Sequence, residues 1–389
     1  MQKLKNRFGL SEWSGAVGDL GTLLPLAFTL VIFNGFEISR LFLLWGLVYV
    51  LAGSYFKVPL SVQPLKAMTV IAITLGLSVE FLAGTAFFYG ILLIILSATG
   101  VIKWLQKWFS AALIRGIQFG IGLILAHKAI QLLFQKGFLL SDQSISKETN
   151  LLVFLALFAL IWIFQFRRKF PLTLLLIALS IPVFGFLDGS APETIDSTLF
   201  TFVLPDFRIL ADAFVLLIIP QLPLTLGNAM FAAADACHDF WPEQSTKVTA
   251  VKLGYSIGIA DTFIGLFGGF PMCHGAGGIA AHKQFGGRTG GTMIIMGGVL
   301  ILLALITPLS HVLFLIPVPL LAAMLLFDSG RMILLMRKST GKIQFIVAAL
   351  VGIISFASRN LTVALLAGLI VEKSYIYYKK NKNVETELK

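Results

Sequence analysis

The fold is decided by PMCHGAGGIAAHKQF at positions 271–285, a segment that lies between two long apolar runs. It is too short and too rich in glycine and polar residues for an ordinary spanning helix, which needs about 20 mostly apolar residues. A second interrupted segment, SVQPLKAMTVIAITLGL at positions 61–77, lies in the first part of the chain. Proline or glycine near the start of each segment favours a half-helix that begins inside the membrane, which is tolerated where it lines a cavity.

The rest of the sequence is typical of a polytopic membrane protein. Of 389 residues, 57% are hydrophobic and only 13% are charged, whereas a soluble domain carries about 25% charged residues. Apolar runs recur from residue 14 to residue 378. The sequence therefore predicts one all-α transmembrane domain over 1–389, with no soluble C-terminal domain. The first apolar run is too long for a secretory signal and is interpreted as a retained span.

Twelve further runs are long enough to span the bilayer, and with the two short segments they give about fourteen crossings. These runs cover 14–33, 41–57, 81–98, 112–134, 150–166, 171–187, 209–233, 251–270, 291–308, 311–327, 343–358 and 360–378. If all fourteen segments cross, the basic clusters between Lys3 and Lys382 fall on one side and the acidic loop 188–206 on the other. By the positive-inside rule, this predicts a multi-pass protein of the cell membrane with both termini in the cytoplasm.

The two short segments occupy matching places in the two halves of the chain. Gln63 and His274 are 211 residues apart, and the interrupted spans that precede them, around Gly21 and Gly227, are 206 apart. This offset predicts two homologous repeats of seven crossings each, over about 11–190 and about 205–380. Because seven is odd, the second repeat is inverted relative to the first. Matched interruptions of this kind predict a transporter site near the midplane, where the two half-helices meet; the alternative is a pair of packing kinks or re-entrant loops.

The residues at the start of both half-helices favour an anion. A half-helix that begins at Gln63 directs free N–H groups and a partial positive charge into the cavity, and Lys66 adds a full charge one turn further on. His274 and Gly275 begin the second half-helix in the same way. For Lys66, the alternative is a side chain that reaches out to the membrane interface.

Two further groups of residues complete the candidate substrate site. The first group consists of neutral residues in the interrupted spans, namely Gly21, Thr22, Gln221, Thr225 and Asn228. The second is Asp19, which is costly in lipid unless it is paired, protonated or next to water. We expect Asp19 to pair with Lys66 or to bind the proton that drives anion uptake, with an interhelical hydrogen bond as the alternative. His274 is the second candidate for the proton, or a hydrogen-bonding group for the substrate.

Other kinds of chemistry are not indicated. The sequence has no nucleotide-binding P-loop and no nucleophile–base arrangement, so neither an enzyme nor a cofactor is predicted. Asp235, His238 and Asp239 are interpreted as solvated polarity at a helix end rather than as a metal site. Cys237 and Cys273 are predicted to be free thiols, too far apart to pair. The net charge of +11 falls in short clusters beside the spans, which indicates cytoplasmic loops and no nucleic-acid partner.

Four motifs together resemble the molybdate transporter family, which is related to the sulfate permeases. They are GDLGT at 18–22, VQPLKA at 62–67, PQLPLTLGNA at 220–229 and PMCHGAGGIAAH at 271–282. The resemblance implies the seven-plus-seven inverted-repeat fold that the sulfate and uracil/xanthine permeases share. In that fold a core domain carries the site and a gate domain carries the contact of a homodimer. The resemblance also implies secondary active transport of molybdate. Sulfate, a dianion of the same shape, is the alternative substrate, and an anion channel on the same fold is the alternative function.

Overall fold

The structure is a computed structural model that describes residues 5–135, 137–139, 146–164, 175–177, 179–180, 182–183, 199–306, 315–339 and 341–387. In this part of the chain, eight helices are long and apolar enough to cross a membrane. This confirms the predicted polytopic all-α fold. The predicted span 171–187 lies mostly outside the described residues, so the number of fourteen crossings stays a prediction.

The first half of the described chain contains seven helices and one short strand. They are α1 (Leu10–Asn34), α2 (Ile38–Phe56), β1 (Gln63–Pro64), α3 (Lys66–Leu75), α4 (Val79–Thr99), α5 (Ile102–Gln106), α6 (Ala111–Gln135) and α7 (Lys147–Phe164). Helix α1 tightens into a 3₁₀ turn over Val17–Asp19. Short 3₁₀ stretches inside a helix often mark a functional site or a local constraint, and this turn carries the candidate residue Asp19.

The second half repeats this order of elements. It contains α8 (Phe207–Phe240), α9 (Ala250–Leu266), β2 (Met272–Cys273), α10 (Ala276–Gln284), α11 (Gly291–Leu305), α12 (Val318–Lys338), α13 (Lys342–Ser358) and α14 (Leu361–Glu387). Helix α8 widens into π-helical turns over Phe214–Ile218 and Thr225–Phe231, on either side of Pro220 and Pro223. These prolines cannot donate regular backbone hydrogen bonds, which accounts for the irregular turns.

One predicted span has the wrong bounds. The apolar run 311–327 was expected to be a helix, but the helix begins at Val318, after Pro317, and continues to Lys338. The prediction ended at Phe327 because Asp328 and Arg331 interrupt the apolar pattern. Both of these charged side chains line a cavity inside the bundle, where polar groups are tolerated at membrane depth.

Two helix crossings support the predicted internal repeat. Helix α2 packs along α11, and α4 packs along α9. At the crossings Gly46 faces Gly297, and Gly90 faces Gly258; a Cβ atom on any of the four would lie 2.9 Å or less from the partner's carbonyl oxygen. Gly46 and Gly258 are 212 residues apart, and Gly90 and Gly297 are 207 apart. The same offset therefore relates the crossings and the short segments, while the repeat boundaries stay a prediction.

The two short segments meet inside the bundle, as the sequence predicts. Strands β1 and β2 form an antiparallel pair in which Gln63 lies opposite Cys273 and Pro64 opposite Met272. The Leu65 N–H extends the pair by donating to the Pro271 carbonyl at 3.1 Å. All four strand residues are buried, so this pairing satisfies backbone groups that water does not reach. Helices α3 and α10 begin directly after it.

The helices pack in two groups. Helices α6, α7, α12, α13 and α14 contact one another closely, while α1 to α4 and α8 to α11 surround the strand pair. Helix α12 also contacts α1. The polar starts of the two half-helices therefore lie beside the boundary between the groups.

Candidate functional site

A cavity of about 430 Å³ lies at this boundary. The predicted site residues that line it are Asp19, Gly21, Thr22, Gln63, Lys66, Gln221 and Asn228. The cavity extends past Gln284 and Phe285, at the end of α10, to Leu335 near the basic end of α12. Segments that are distant in sequence thus contribute to one cavity with polar groups on a largely apolar wall, which is the arrangement expected of a binding site.

Lys66 lies at the start of α3 and is paired across the cavity. Its Nζ atom is 3.6 Å from Oδ2 of Asp328, and the side chains are 24% and 10% exposed. The hydroxyl of Thr22 donates to Oδ1 of Asp328 at 3.4 Å. The sequence suggests Asp19 as a partner of Lys66. In the structure, the partner of Lys66 is Asp328 on α12. This ion pair joins the two packed groups of helices.

Asp19 is fully buried and both of its carboxylate oxygens accept hydrogen bonds. The amide Nε2 of Gln63 donates to Oδ1, and the hydroxyl of Tyr49 donates to Oδ2 at 2.9 Å. An ionised carboxylate acts only as an acceptor, and here each of its oxygens has a donor. Asp19 and Gln63 both line the cavity, so this hydrogen bond forms part of its wall.

Gln221 and Thr225 act on the start of α3. Oε1 of Gln221 accepts from the backbone N–H groups of Ala67 and Met68, at 3.0 and 3.3 Å. Nε2 of Gln221 donates to the Thr225 hydroxyl at 3.1 Å, so Thr225 orients the amide from behind the cavity wall. Gln221 thus caps N–H groups that were expected to face the anion. The positive charge of α3 at the cavity is therefore mainly that of Lys66.

The start of α10 is more open. Gly277 lines the cavity, and a Cβ atom there would meet no other atom within 4 Å. Gly278 is packed more tightly, since a Cβ atom there would lie 2.6 Å from Oδ1 of Asp19 and 2.8 Å from Nε2 of Gln63. Gly275 is buried beside Gln63, and its carbonyl accepts from Ser61 at 2.7 Å. Glycine thus allows α10 to approach Asp19 closely and to present its backbone N-terminus to the cavity.

His274 lies behind the cavity wall. It is fully buried, its Nδ1 is 2.7 Å from the Ser61 carbonyl, and its Nε2 is 2.8 Å from the Ser256 hydroxyl. Both ring nitrogens are therefore engaged with the protein. In this arrangement His274 positions the segment before β1 against α9, and it does not reach the cavity directly.

The lining residues that the sequence analysis did not select include Gln118 on α6, and Asp328 and Arg331 on α12. The guanidinium carbon of Arg331 lies 6.0 Å from the Phe327 ring centroid. Charged residues next to an apolar run were the available signal, since such residues inside a membrane face a cavity or a partner. The signal was lost because the span was ended one residue before Asp328.

The other predicted features can be located as well. Cys237 and Cys273 are both buried free thiols, as expected, and Cys273 lines the cavity. In the described part of the chain, no group of three His, Cys, Asp or Glu side chains is placed to hold a metal. His238 is not simply solvated, because Ser245 and the Val248 carbonyl lie 2.9 Å from its two nitrogens. It therefore fixes the loop after α8.

Comparisons with known proteins identify a family and a shared fold. A family model described as "Molybdate transporter of MFS superfamily" matches residues 11–125 and 213–332. Molybdate transporter 2 of Arabidopsis thaliana is 27% identical over 371 residues, which cover 84% of this chain and 78% of that protein. The transmembrane domain of a cyanobacterium bicarbonate transporter, BicA, has a TM-score of 0.65 at 20% identity, covering 95% of this chain and 99% of that one. SLC26A9 has a TM-score of 0.68 at 13% identity, covering 95% of this chain and 65% of that one. At these identities the two structures establish a shared fold.

Proposed function

Since the chain belongs to the molybdate transporter family, we propose that it carries molybdate through the membrane by proton-coupled secondary active transport. The observation that carries the proposal is the cavity around Lys66. It combines a lysine at a half-helix start with the open N-terminus of α10 at Gly277. Both features attract an anion at membrane depth, where charge interactions are only weakly screened.

Neutral groups around the cavity suit an oxyanion. Thr22 and Asn228 line the wall next to Lys66 and can donate hydrogen bonds. A tetrahedral dianion offers acceptors in all directions, so donors on several helices can bind it together. Gln63 and Gln221 hold the half-helix starts in place. On this proposal, Thr225, His274 and Gly275 support the site from behind its wall.

Competition for Lys66 supplies a coupling step. Asp328 neutralises Lys66 across the cavity at 3.6 Å. At a similar distance a dianion attracts Lys66 twice as strongly as a monovalent carboxylate does. Substrate binding then weakens the link between α3 and α12, and with it the contact between the two packed groups. The groups become free to shift relative to each other, which exposes the site to the other side.

Proton coupling answers an energetic problem. Moving one negative charge inward against a potential of 100 mV costs about 2.3 kcal/mol, so a dianion alone is driven out. We assign the proton to Asp19. Protonation turns one of its oxygens from an acceptor into a donor, and we place the proton on Oδ1, where the Gln63 amide rotates to accept it. The cavity wall thereby changes with the protonation state.

The setting of the protein is also part of the proposal. We place it in the cell membrane with both termini in the cytoplasm, so that the basic end of α12 at Arg337 and Lys338 lies inside. The cavity then extends toward the cytoplasm. We also propose a homodimer. In the described part of the chain, only 17% of the apolar window of α7 is buried, and on this proposal a second copy covers part of the exposed surface.

Uptake of labelled molybdate into liposomes that contain the purified protein tests the function. We expect saturable uptake that an inward proton gradient accelerates. Competition by sulfate measures the substrate preference, and stronger inhibition by sulfate than by unlabelled molybdate would make sulfate the substrate. Large single-channel currents without saturation would instead indicate an anion channel. Absence of uptake and counterflow for both oxyanions would exclude the proposal.

A further inference from the structure

A second cavity lies at the other end of α3. It has a volume of about 320 Å³ and is lined by Thr74, His127, Lys128, Gln131, Phe356 and Arg359, among others. Lys66 begins α3 at the first cavity, and Thr74 is eight residues further on, about 12 Å along the helix. Similarly, Gln118 of α6 lines the first cavity and Lys128 the second, about 15 Å apart along that helix. Thus α3 and α6 both connect the two cavities.

The charge of this second cavity is one-sided. Lys128 and Arg359 line it, and no carboxylate is among its described lining residues. Because both cations line the same cavity, their like charges repel each other. Of the described residues, the ion pairs formed are Lys66 with Asp328 and Arg208 with Asp206, so neither cation is neutralised by a described carboxylate. Cations that share a cavity are stabilised by an anion between them.

An aromatic ring positions Lys128, and the exposed Arg359 stands at the end of a helix. Nζ of Lys128 lies 5.0 Å from the centroid of the Phe33 ring, which is a favourable position for an ammonium group. Arg359 ends α13 with a φ of 53°, a left-handed conformation that is uncommon for a residue other than glycine. Thr74 and Gln131 add neutral hydrogen-bonding groups to the wall. The guanidinium of Arg359 offers a planar donor fork that matches an oxyanion.

We propose that this second cavity binds a small oxyanion between Lys128 and Arg359. The ligand chemistry is that of a tetrahedral dianion or of the phosphate in an anionic lipid headgroup. In a transporter, the site lies between the two packed groups of helices, opposite the first cavity, and captures the substrate before it reaches Lys66. This last role rests on the proposed function, whereas binding of the oxyanion does not.

Binding of labelled sulfate to the full-length protein in detergent tests the proposal. We expect two classes of site. Lys128→Met with Arg359→Met should raise the apparent dissociation constant of one class roughly tenfold or more, and Lys66→Met should affect the other class. Lys342→Met is the matched control, since this exposed lysine begins the helix that Arg359 ends. Lys128→Arg keeps the charge and should preserve binding, which separates loss of the site from loss of folding.

The source of the oxyanion is tested in vesicles. Binding is repeated in phosphatidylcholine alone and with added phosphatidylglycerol. If the lipid phosphate is the ligand, phosphatidylglycerol suppresses sulfate binding at this class of site. The double variant then retains less phosphatidylglycerol than the wild type does. Equal sulfate binding and equal lipid retention in the double variant and in Lys342→Met would overturn the proposal. If the protein does not transport molybdate but still shows the second class of sulfate binding, only the proposed function is refuted.

Discussion

Lys66 and Asp328, 262 residues apart in the sequence, form an ion pair across the central cavity at 3.6 Å. Lys66 belongs to the half-helix that follows the strand pair, and Asp328 belongs to a helix of the other packed group. The pair therefore joins the two packed groups across the cavity. It also explains how two charged side chains are tolerated at this depth, because each compensates the other.

Removing the Lys66 charge should abolish binding at the central cavity. Lys66→Met keeps the length and apolar stem of the side chain, and it leaves Asp328 as an uncompensated negative charge that repels the oxyanion. We expect loss of uptake and of the labelled molybdate bound at this cavity. Lys103→Met, at an exposed lysine outside the cavity, should leave both unchanged. Equal effects of the two substitutions would mean that Lys66 contributes no more than general surface charge.

Removing the Asp328 charge should have the opposite effect on affinity. Asp328→Asn keeps the shape and the contact with Thr22 but no longer competes for Lys66. We expect the dissociation constant for molybdate to fall several-fold, which corresponds to a gain of about 1 kcal/mol in binding free energy. The rate of transport should fall, because release of molybdate is slowed. Binding isotherms and uptake rates measure the two effects separately. A weaker affinity than that of the wild type would contradict the competition mechanism.

Two adjacent glycines should differ in their effects. Gly278→Ala places a methyl group 2.6 Å from Asp19 Oδ1, so the start of α10 must move, at a cost of about 1–3 kcal/mol of stability. Gly277→Ala meets no atom within 4 Å, and should fold normally but place a methyl group in the cavity.

Thermal unfolding in detergent and molybdate binding distinguish these two cases. We expect a lowered melting temperature for Gly278→Ala only. Weaker binding with an unchanged melting temperature is expected for Gly277→Ala. If Gly277→Ala binds molybdate as the wild type does, the start of α10 is not part of the substrate site.

Gln221 should matter through the start of α3. Gln221→Ala removes the acceptor from the buried N–H groups of Ala67 and Met68, which costs about 1–3 kcal/mol for unsatisfied groups. We expect weaker molybdate binding together with faster hydrogen exchange at these two amides. Normal exchange with weakened binding would instead indicate that Gln221 contacts the substrate directly.

Asp19 should carry the proton dependence. Asp19→Asn retains the buried volume and can still meet Gln63 and Tyr49, but it cannot exchange a proton. We expect no accumulation of molybdate driven by an imposed pH gradient, while exchange of molybdate across liposomes at equal pH on both sides continues. Accumulation that still follows the pH gradient would make Asp19 structural and direct the search to Asp328.

The sequence by itself determined the class of fold and the segments that form the site. The low proportion of charge excludes a soluble domain, and the length of the apolar runs sets the helices, because both properties are local. The interruptions at Gln63 and His274 identified the half-helices for the same reason: proline and glycine act on the backbone at their own position. The distance of 211 residues between Gln63 and His274 is close to the 206 residues between Gly21 and Gly227. This similarity indicated that the two short segments occupy matching places in two repeats.

Tertiary structure decided which of these residues share a cavity and with which partners. Lys66 pairs with Asp328 and not with Asp19, Gln221 caps α3, and His274 is held by Ser61 and Ser256 outside the cavity. These contacts join residues that are far apart in the chain, so no local pattern encodes them. Whether a polar side chain faces the substrate, a partner or the backbone depends on how the helices are rotated and packed. The close glycine crossings of α2 with α11 and of α4 with α9 are long-range contacts of the same kind, and only the assembled bundle shows them.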